Sequence, residues 1–476
     1  MDGPLLVIDR DGTRPIGEQL VEGLRRGILD GALRPGDPVP STRALAAELG
    51  VARSSVVAAY DQLAGEGYLE LRQGAPSRVA QLERGRVEAA RPVTTDAAGP
   101  ASRSDLDVIV LRPGLPSVAR LDERAWRSAW RHAAQASVPG DIPPPFGIPR
   151  LRAEIADHLR QARGVACSAD DILVTAGTSD AMALLASALD LLVEGTPRVA
   201  VEDPGYPSAR RVLQRRGALR IVPVPVDADG IDVAALAALR PRPHAVMVTP
   251  SHQYPLGGRL PVAARLALLD WAEASGALIV EDDYDSEFRH LGAPLPALAS
   301  LDRGGRVVLV GSFSKVLTPW VRLGYLVLPG NPQLHAALAA VRDDETCPVP
   351  GIAQEAIAAL LANGTVRRHI AATRRDYTHR RSLVLATLSG IEHAELLGHA
   401  GGLHTVIRLP DEAMAGRIVD RLAADGIAVS SLDDYAVVRG EGPAGIVLGY
   451  ASPTDTQLAD ALLRIRATLI AEVGTD

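Results

Sequence analysis

The chain has 476 residues, of which 47% are hydrophobic and 22% charged, enough to bury the cores of two or three domains. Its formal net charge of −7 gives no bulk electrostatic sign of a nucleic-acid or anionic-membrane partner. The two cysteines, Cys167 and Cys347, are far apart and fit no metal or redox spacing, and no basic-then-apolar leader opens the chain. The longest apolar stretch, Ala181 to Val193, is interrupted by Asp190 and too short to span a bilayer. A cytoplasmic protein is expected.

In chain order, residues 1–80 predict a small helical unit with a β end. Apolar residues at Ile16, Leu20, Leu24 and Ile28 follow helical spacing, and Gly31 with Arg34-Pro35-Gly36-Asp37 closes that helix. Ser41 is a candidate N-cap for a helix over Thr42–Leu49, ended by Gly50. A second helix, Ser54 to Glu66, is ended by Gly67. Two short helices across a glycine-containing turn make a helix-turn-helix candidate. Tyr68 to Arg72, Gln73-Gly74 and Arg78-Val79 then predict a hairpin wing.

Leu33-Arg34-Pro35-Gly36-Asp37, Pro40-Ser41-Thr42-Arg43-Ala44-Leu45-Ala46 and Gly50-Val51-Ala52-Arg53-Ser54-Ser55-Val56 resemble the winged-helix domain of GntR-type regulators. The resemblance implies a double-stranded DNA operator as partner, met by Ser41, Arg43, Arg53, Ser54 and Ser55, with Arg72 and Gly74 in the wing. Arginine can grip guanine edges bidentately, and serines at a helix N-terminus suit phosphate. Residues 1–80 hold nine arginines against eleven acids, so a basic face there has to be local. Ala75-Pro76 stands where the family often has a second glycine.

Residues 81–108 carry Arg91-Pro92, Thr94-Thr95, Ala97-Ala98-Gly99-Pro100 and scattered charges without apolar periodicity, a linker composition. From 109 to 476 apolar runs alternate with amphipathic stretches. Strands are predicted at Ile172–Thr175, Val199–Glu202, Ile221–Val226, Ala245–Thr249, Leu278–Glu281, Val307–Gly311 and Gly324–Leu328. Helices are predicted between most of them, for example Ser179–Leu192 and Val262–Ala274. That alternation predicts an α/β domain, a mostly parallel sheet with helices on both faces, with binding residues where strands end. After about residue 335, long helices and a few late strands predict a small C-terminal α+β subdomain.

Among 50 lysines and arginines there is one lysine, Lys315. Arginine can carry positive charge but cannot give up its proton near neutrality or form an imine, so a solitary lysine points to amine chemistry. Predicted strand ends carry the rest of a candidate site. Ala176-Gly177-Thr178-Ser179 opens a helix toward an anion. Glu202-Asp203-Pro204-Gly205-Tyr206 and Thr249-Pro250-Ser251-His252-Gln253-Tyr254 bring an aromatic and polar groups. Glu281-Asp282-Asp283-Tyr284-Asp285 brings acids and a phenol, and Ser312, Ser314, Lys315 and Arg322 share one turn region. The set suits pyridoxal 5′-phosphate, which needs a lysine, a carboxylate for its ring nitrogen and donors for its phosphate.

The string Gly311-Ser312-Phe313-Ser314-Lys315-Val316-Leu317-Thr318-Pro319-Trp320-Val321-Arg322-Leu323-Gly324-Tyr325 resembles the lysine segment of fold-type-I aminotransferase-like proteins. Joined to a GntR-type N-terminus, the chain resembles the MocR subfamily over roughly residues 16–80 and 110–450. The resemblance implies a homodimer in which Lys315 forms the Schiff base, Asp282 pairs with the ring nitrogen, Tyr284 bonds the ring oxygen and Tyr206 stacks on the ring. Gly177, Thr178, Ser179, Ser312, Ser314 and Arg322 would hold the phosphate, and His252 and Gln253 belong to a subfamily signature. Subfamily members that sense GABA clamp its carboxylate with an arginine two residues after the stacking tyrosine. Ser208 stands there. Residues 427–452 offer only Arg439, with Asp433-Asp434-Tyr435 at the expected place, and Arg408 is the other candidate. The expected function is a regulator whose transferase-like domain senses the cofactor itself or an amine, controlling vitamin B6 or amino-acid metabolism. The alternative is an active aminotransferase with a vestigial DNA-binding domain, and any transaminase activity is expected to be secondary. Ser312-x-x-Lys315 also matches a serine-acylase pattern, but that chemistry needs a second lysine, which the chain lacks.

Overall fold

A computed structural model describes residues 6, 8–10, 14–71, 76–80, 108–216, 219–290, 296–398 and 401–473. It divides into two compact units, Met1–Arg103 and Ser104–Asp476.

The first unit contains helices α1 (Ile16–Leu29), α2 (Thr42–Leu49) and α3 (Arg53–Gly65) and the antiparallel pair β1 (Leu69–Glu70) and β2 (Arg78–Val79). Leu20, Leu24 and Ile28 of α1 are buried as their spacing predicts, against Leu45, Val56, Tyr60 and Leu63. Ser41 caps α2, its hydroxyl accepting from the Ala44 amide at 3.1 Å. Gly50 ends α2 in the left-handed conformation, and α3 begins one residue earlier than expected, at Arg53. Tyr60 fixes the turn before α2 by donating to the Pro40 carbonyl at 2.7 Å.

The second unit begins with β3 (Ile109–Val110), α4 (Glu123–Ala134), α5 (Pro149–Arg163), β4 (Ile172–Thr175), α6 (Thr178–Leu192), β5 (Arg198–Asp203), α7 (Pro207–Arg216) and β6 (Arg220–Asp227). It continues through β7 (Gly230–Ile231), α8 (Val233–Ala238), β8 (Ala245–Val248), α9 (Val262–Ser275), β9 (Leu278–Asp283), β10 (Val307–Ser312) and β11 (Gly324–Val327). Strands β4 to β11 form one eight-stranded sheet ordered β4-β11-β10-β9-β8-β5-β6-β7. Strands β10, β9, β8, β5 and β6 run parallel, while β11 lies antiparallel between β10 and β4. All four residues of β4, β8 and β11 are buried, the pattern of strands covered on both faces. One face packs on α6, α7 and α10 (Pro332–Glu345), and the other on α8 and α9.

Helices α11 (Gly351–Ala362) and α12 (Thr365–Leu388) lead to the smaller C-terminal part. There an antiparallel sheet is ordered β12 (Glu395–Leu397), β13 (His404–Arg408), β16 (Gly445–Gly449), β15 (Ser430–Ser431), with α13 (Glu412–Ala424) and α14 (Asp455–Val473) packed beside it. β3 pairs in parallel with β14 (Ile427–Ala428), so the start of the unit is stitched to its end. The expected strands all form, with ends shifted by a residue or two. None of the helices among the described residues is long and apolar enough to cross a membrane.

Candidate functional site

The carboxyl ends of β4, β5, β8, β9 and β10 open onto one cavity of about 520 Å3. Its lining includes Thr178, Ser179, Tyr206, Asp282, Tyr284, Ser312, Ser314, Lys315 and Arg322, residues spread over 145 positions of sequence and brought together by strand order. The Lys315 amine donates to the Gly114 carbonyl at 2.6 Å. Burial lowers its pKa from the usual lysine value, and the Asp282 and Asp285 charges resist that shift. The turn carrying it is tied by the Ser312 hydroxyl, which donates to Ser314 Oγ at 3.0 Å and accepts from the Ser314 amide at 3.1 Å.

Asp282 is 4% exposed. Burial, then the neighbouring Asp283, push its carboxyl up to about 7, and Lys315 draws it back. Its carboxylate has no hydrogen bond among the described residues, although buried polar groups are normally partnered. Asp283, on the opposite face of β9, is held by Arg163 at 2.7 Å. Glu281 accepts the Leu298 and Ala299 amides, both at 2.8 Å.

Opposite the lysine, Gly177 introduces α6 at φ +80°, a conformation that disfavours a side chain. A Cβ there would meet the Arg322 guanidinium at 3.6 Å, so Gly177 backs the cavity while Thr178 and Ser179 line it. Arg322 is itself left-handed at φ 48°, and its guanidinium donates to the Ala176 carbonyl at 2.8 Å. A non-glycine residue in that region costs on the order of 1 kcal/mol. Two hydroxyls at a helix N-terminus, two more on the lysine turn and a guanidinium are the donor set that could hold an anion.

His252 and Gln253 do not line the cavity. They lie buried behind it. His252 Nδ1 is 2.8 Å from the Tyr284 hydroxyl and 2.9 Å from Asp285, and its Nε2 is 3.1 Å from the Gly398 carbonyl. Gln253 donates to the Pro204 and Tyr254 carbonyls at 2.9 Å and accepts from Leu256. The pair therefore positions Tyr284 and the loop bearing Tyr254. His252, Asp285 and His404 are also close enough to hold a metal ion, but His252 is already bonded at both ring nitrogens and His404 Nε2 to the Pro255 carbonyl. Arg408 is elsewhere, ion-paired with Glu395 across β12 and β13.

Sequence reasoning named Tyr206 and Tyr284 as site residues but missed that Tyr254 and Tyr435 complete an aromatic wall with them. Tyr254 sits 5.8, 5.3, 5.4 and 5.1 Å, centroid to centroid, from Tyr206, Tyr284, Tyr435 and His404. Four of the chain's nine tyrosines thus surround one cavity. Their signal was their scarcity. The loop bearing Tyr435 is pinned over Tyr206: its carbonyl accepts from the Gly205 amide at 3.1 Å and from Arg210 at 3.2 Å, and the Val437 amide donates to Asp203 at 2.8 Å. Arg211 and Arg439 also line the cavity, bonded to Ser208 and Asp434.

In the first unit, Arg43, Arg53 and Ser54 are exposed and Ser55 partly so. Neither arginine forms an ion pair among the described residues. Ser41 spends its hydroxyl on the α2 cap. Arg72 and Gly74 lie outside the described residues.

Residues 16–79 match the family of bacterial regulatory proteins called gntR, and residues 110–465 match aminotransferase class I and II. The chain is 42% identical to the HTH-type pyridoxine biosynthesis transcriptional regulator PdxR of Corynebacterium glutamicum, over 94% of this chain and 95% of that one. It is 34% identical to the probable rhizopine catabolism regulatory protein MocR of Rhizobium meliloti, over 98% and 96%. The chain belongs to the MocR subfamily of GntR-type regulators. In fold, this MocR-type chain is similar to the crystal structure of an archaeal alanine:glyoxylate aminotransferase, with TM-score 0.69 and 25% identity over 77% of this chain and 92% of that one. It is equally similar to LysN, the alpha-aminoadipate aminotransferase of Thermus thermophilus, solved with N-(5′-phosphopyridoxyl)-L-leucine, with TM-score 0.69 and 24% identity over 78% and 94%.

The transferase half belongs to a pyridoxal-phosphate-dependent family, and the residues present fit that cofactor. A lone amine, a buried carboxylate lacking a hydrogen bond and a hydroxyl–guanidinium cradle stand at three sides of a cavity of small-molecule size.

Proposed function

We propose that this regulator binds pyridoxal 5′-phosphate at Lys315 and couples that site to DNA binding by its winged helix. When bound, the cofactor supplies an aldehyde that condenses with a primary amine, releasing water, and an electron-poor ring. Lys315 is the amine in reach, and its lowered pKa keeps more of it in the nucleophilic, unprotonated form. Asp282 would pair with the ring nitrogen, whose proton would satisfy a carboxylate that has no donor among the described residues. Thr178, Ser179, Ser312, Ser314 and Arg322 would hold the phosphate. Tyr284, oriented by His252, would bond the ring oxygen, and Tyr206 would cover the ring face. The observation that carries this reading is the Asp282 carboxylate, buried in the same cavity as the chain's only lysine.

The effector is the cofactor itself or an amine that competes with Lys315 for it, and the similarity to PdxR favours a role in vitamin B6 supply. The test is operator footprinting of the purified protein with and without pyridoxal phosphate and candidate amines. A change in footprint or affinity is expected, and an identical footprint throughout would sink the coupling. The Lys315→Ala variant should lose the borohydride-trappable chromophore. A second reading, transamination, is favoured by Arg211 and Arg439 at the cavity, where a substrate carboxylate needs a cation. It predicts amine-dependent formation of a keto acid.

A further inference from the structure

We propose that the outer face of α12, together with α4, is a second DNA-contacting surface that grips phosphates without reading bases. It rests on the regulator reading above and extends DNA contact from the winged helix to the transferase unit. Between Arg367 and Arg381, α12 carries six arginines and one acid, Asp376, a net charge of +5 in a chain whose total is −7. The inner side of the helix is committed to packing. Val366, Thr373, Tyr377 and Val384 are buried, and Arg380 is used by Asp455 and the Ala451 carbonyl.

The outer side is different. Arg367, Arg368 and Arg375 are exposed and Arg374 is half-buried, and none has an ion pair among the described residues. The one acid is already engaged, since Asp376 receives Arg120 at 2.6 Å. That bond ties the segment entering α4 to the middle of α12. On α4, Arg124 and Arg131 are likewise exposed and without an ion pair, whereas Arg127 is matched by Glu123. They flank Trp126 and Trp130 in a shallow groove, and both helices pack on α11.

Six guanidiniums on two linked helices have no ion pair among the described residues, and Asp376, the one acid on α12, already serves Arg120 as well as lying near Arg375. One shared acid does not balance their mutual repulsion, and a face serving solubility alone would intersperse acids. A polyanion would relieve that repulsion. Duplex DNA is the polyanion that a GntR-type chain meets, and guanidiniums along a helix side suit phosphate oxygens at any sequence. From Arg367 to Arg375 the charged face of α12 extends about 12 Å at 1.5 Å per residue, enough to meet a few successive phosphates, which follow along one strand at about 3.4 Å of helix axis.

The test uses the full-length, cofactor-loaded protein and a labelled random-sequence duplex, with affinity followed by anisotropy across a salt series. Each phosphate contact contributes roughly 0.9 to the slope of log affinity against log salt. Replacing Arg124, Arg131, Arg367, Arg368, Arg374 and Arg375 by alanine should flatten that slope by about 3 to 5 and weaken low-salt binding at least tenfold. Should the sixfold variant fail to fold, the pairs Arg367→Ala/Arg368→Ala and Arg374→Ala/Arg375→Ala read the same quantity, each flattening the slope by about 1 to 2. An unchanged slope in variants that melt like the wild type overturns the proposal. So does an unchanged slope accompanied by a smaller assembly in sedimentation, which would assign the face to contact between copies. Wild-type protein with no salt-dependent affinity for any duplex would instead defeat the regulator reading on which this rests.

Discussion

Replacing Asp282 by asparagine should move stability and cofactor affinity in opposite directions. In the cofactor-free protein, burial and Asp283 push this carboxyl from 3.8 up to about 7. At about 1.4 kcal/mol per unit, the ionised form carries a penalty of roughly 4 kcal/mol. The folded value lies above the unfolded one, so the unfolded chain gives up its proton first. The penalty therefore grows as pH rises from about 4 through about 7 and is absent below. That value already includes the attraction to Lys315; asparagine escapes the penalty, and its own buried amide returns part of the gain. A net stabilisation of roughly 1–3 kcal/mol at pH 8 is expected, shrinking toward pH 4, as read by urea midpoints of the cofactor-free proteins. With pyridoxal phosphate bound, the variant lacks a charged partner for the ring nitrogen. A hydrogen bond to a charged group is worth about 1.5–3 kcal/mol, so affinity should fall by about ten- to a hundredfold, measured by absorbance titration. An asparagine variant that is no more stable at pH 8 and binds the cofactor as tightly as wild type would refute the assignment.

Arg322→Gln should weaken pyridoxal phosphate by about ten- to a hundredfold yet leave the weaker binding of phosphate-free pyridoxal unchanged; equal losses in both titrations would remove Arg322 from the phosphate cradle. Gly257 has φ +79°, and a Cβ there would lie 2.0 Å from the Gly398 Cα, backbone against backbone with no rotamer to relieve it. Gly257→Ala should therefore cost at least about 2 kcal/mol in denaturant unfolding, and a neutral result would show that the two loops are not held together. His404 is held neutral, pushed down to about 3 by burial and then by His252. Since the unfolded ring protonates near 6.5, stability is lost as pH falls below that value, by about 2 kcal/mol at pH 5. A His404→Gln variant should show a flatter stability profile between pH 7 and 5, and a profile as steep as wild type's would place the acid sensitivity elsewhere.

Lysine scarcity and strand-end chemistry made the cavity's floor legible in the sequence, because each of those residues sits within a few positions of an apolar run that can only be a strand. The walls were not legible. Tyr435 reaches the cavity through a loop anchored on Asp203 and Arg210, contacts that link positions more than 220 residues apart, and no local pattern encodes them. Gly114, whose carbonyl accepts the Lys315 amine, lies in a turn with no periodicity at all. His252 and Gln253 were marked as chemistry-bearing because they are polar at a strand end. Their burial behind Tyr284 and Tyr254 depends on segments from the C-terminal part, such as Gly398. The sequence therefore offers polar residues at strand ends without saying which reach the cavity and which support those that do.

Three adjacent acids on β9 show what resolves that ambiguity. Side chains alternate across a strand, so Glu281 and Asp283 share one face while Asp282 takes the other. The first two are provided for by the protein: Glu281 by two backbone amides and Asp283 by Arg163, which also donates to Ser251 at 3.0 Å. Asp282 alone among them is left without a donor, on the face that also presents Lys315. If β9 slipped by one residue, Asp282 would turn toward Arg163 and Glu281 or Asp283 would face the lysine instead. The register Val310↔Asp282 and Val248↔Glu281 prevents that slip. It is thus the pairing of β9 with β8 and β10 that decides which of three chemically similar carboxylates faces the cavity. Partners on the other face make the choice costly to reverse, since a misplaced Glu281 or Asp283 would forfeit its own donors.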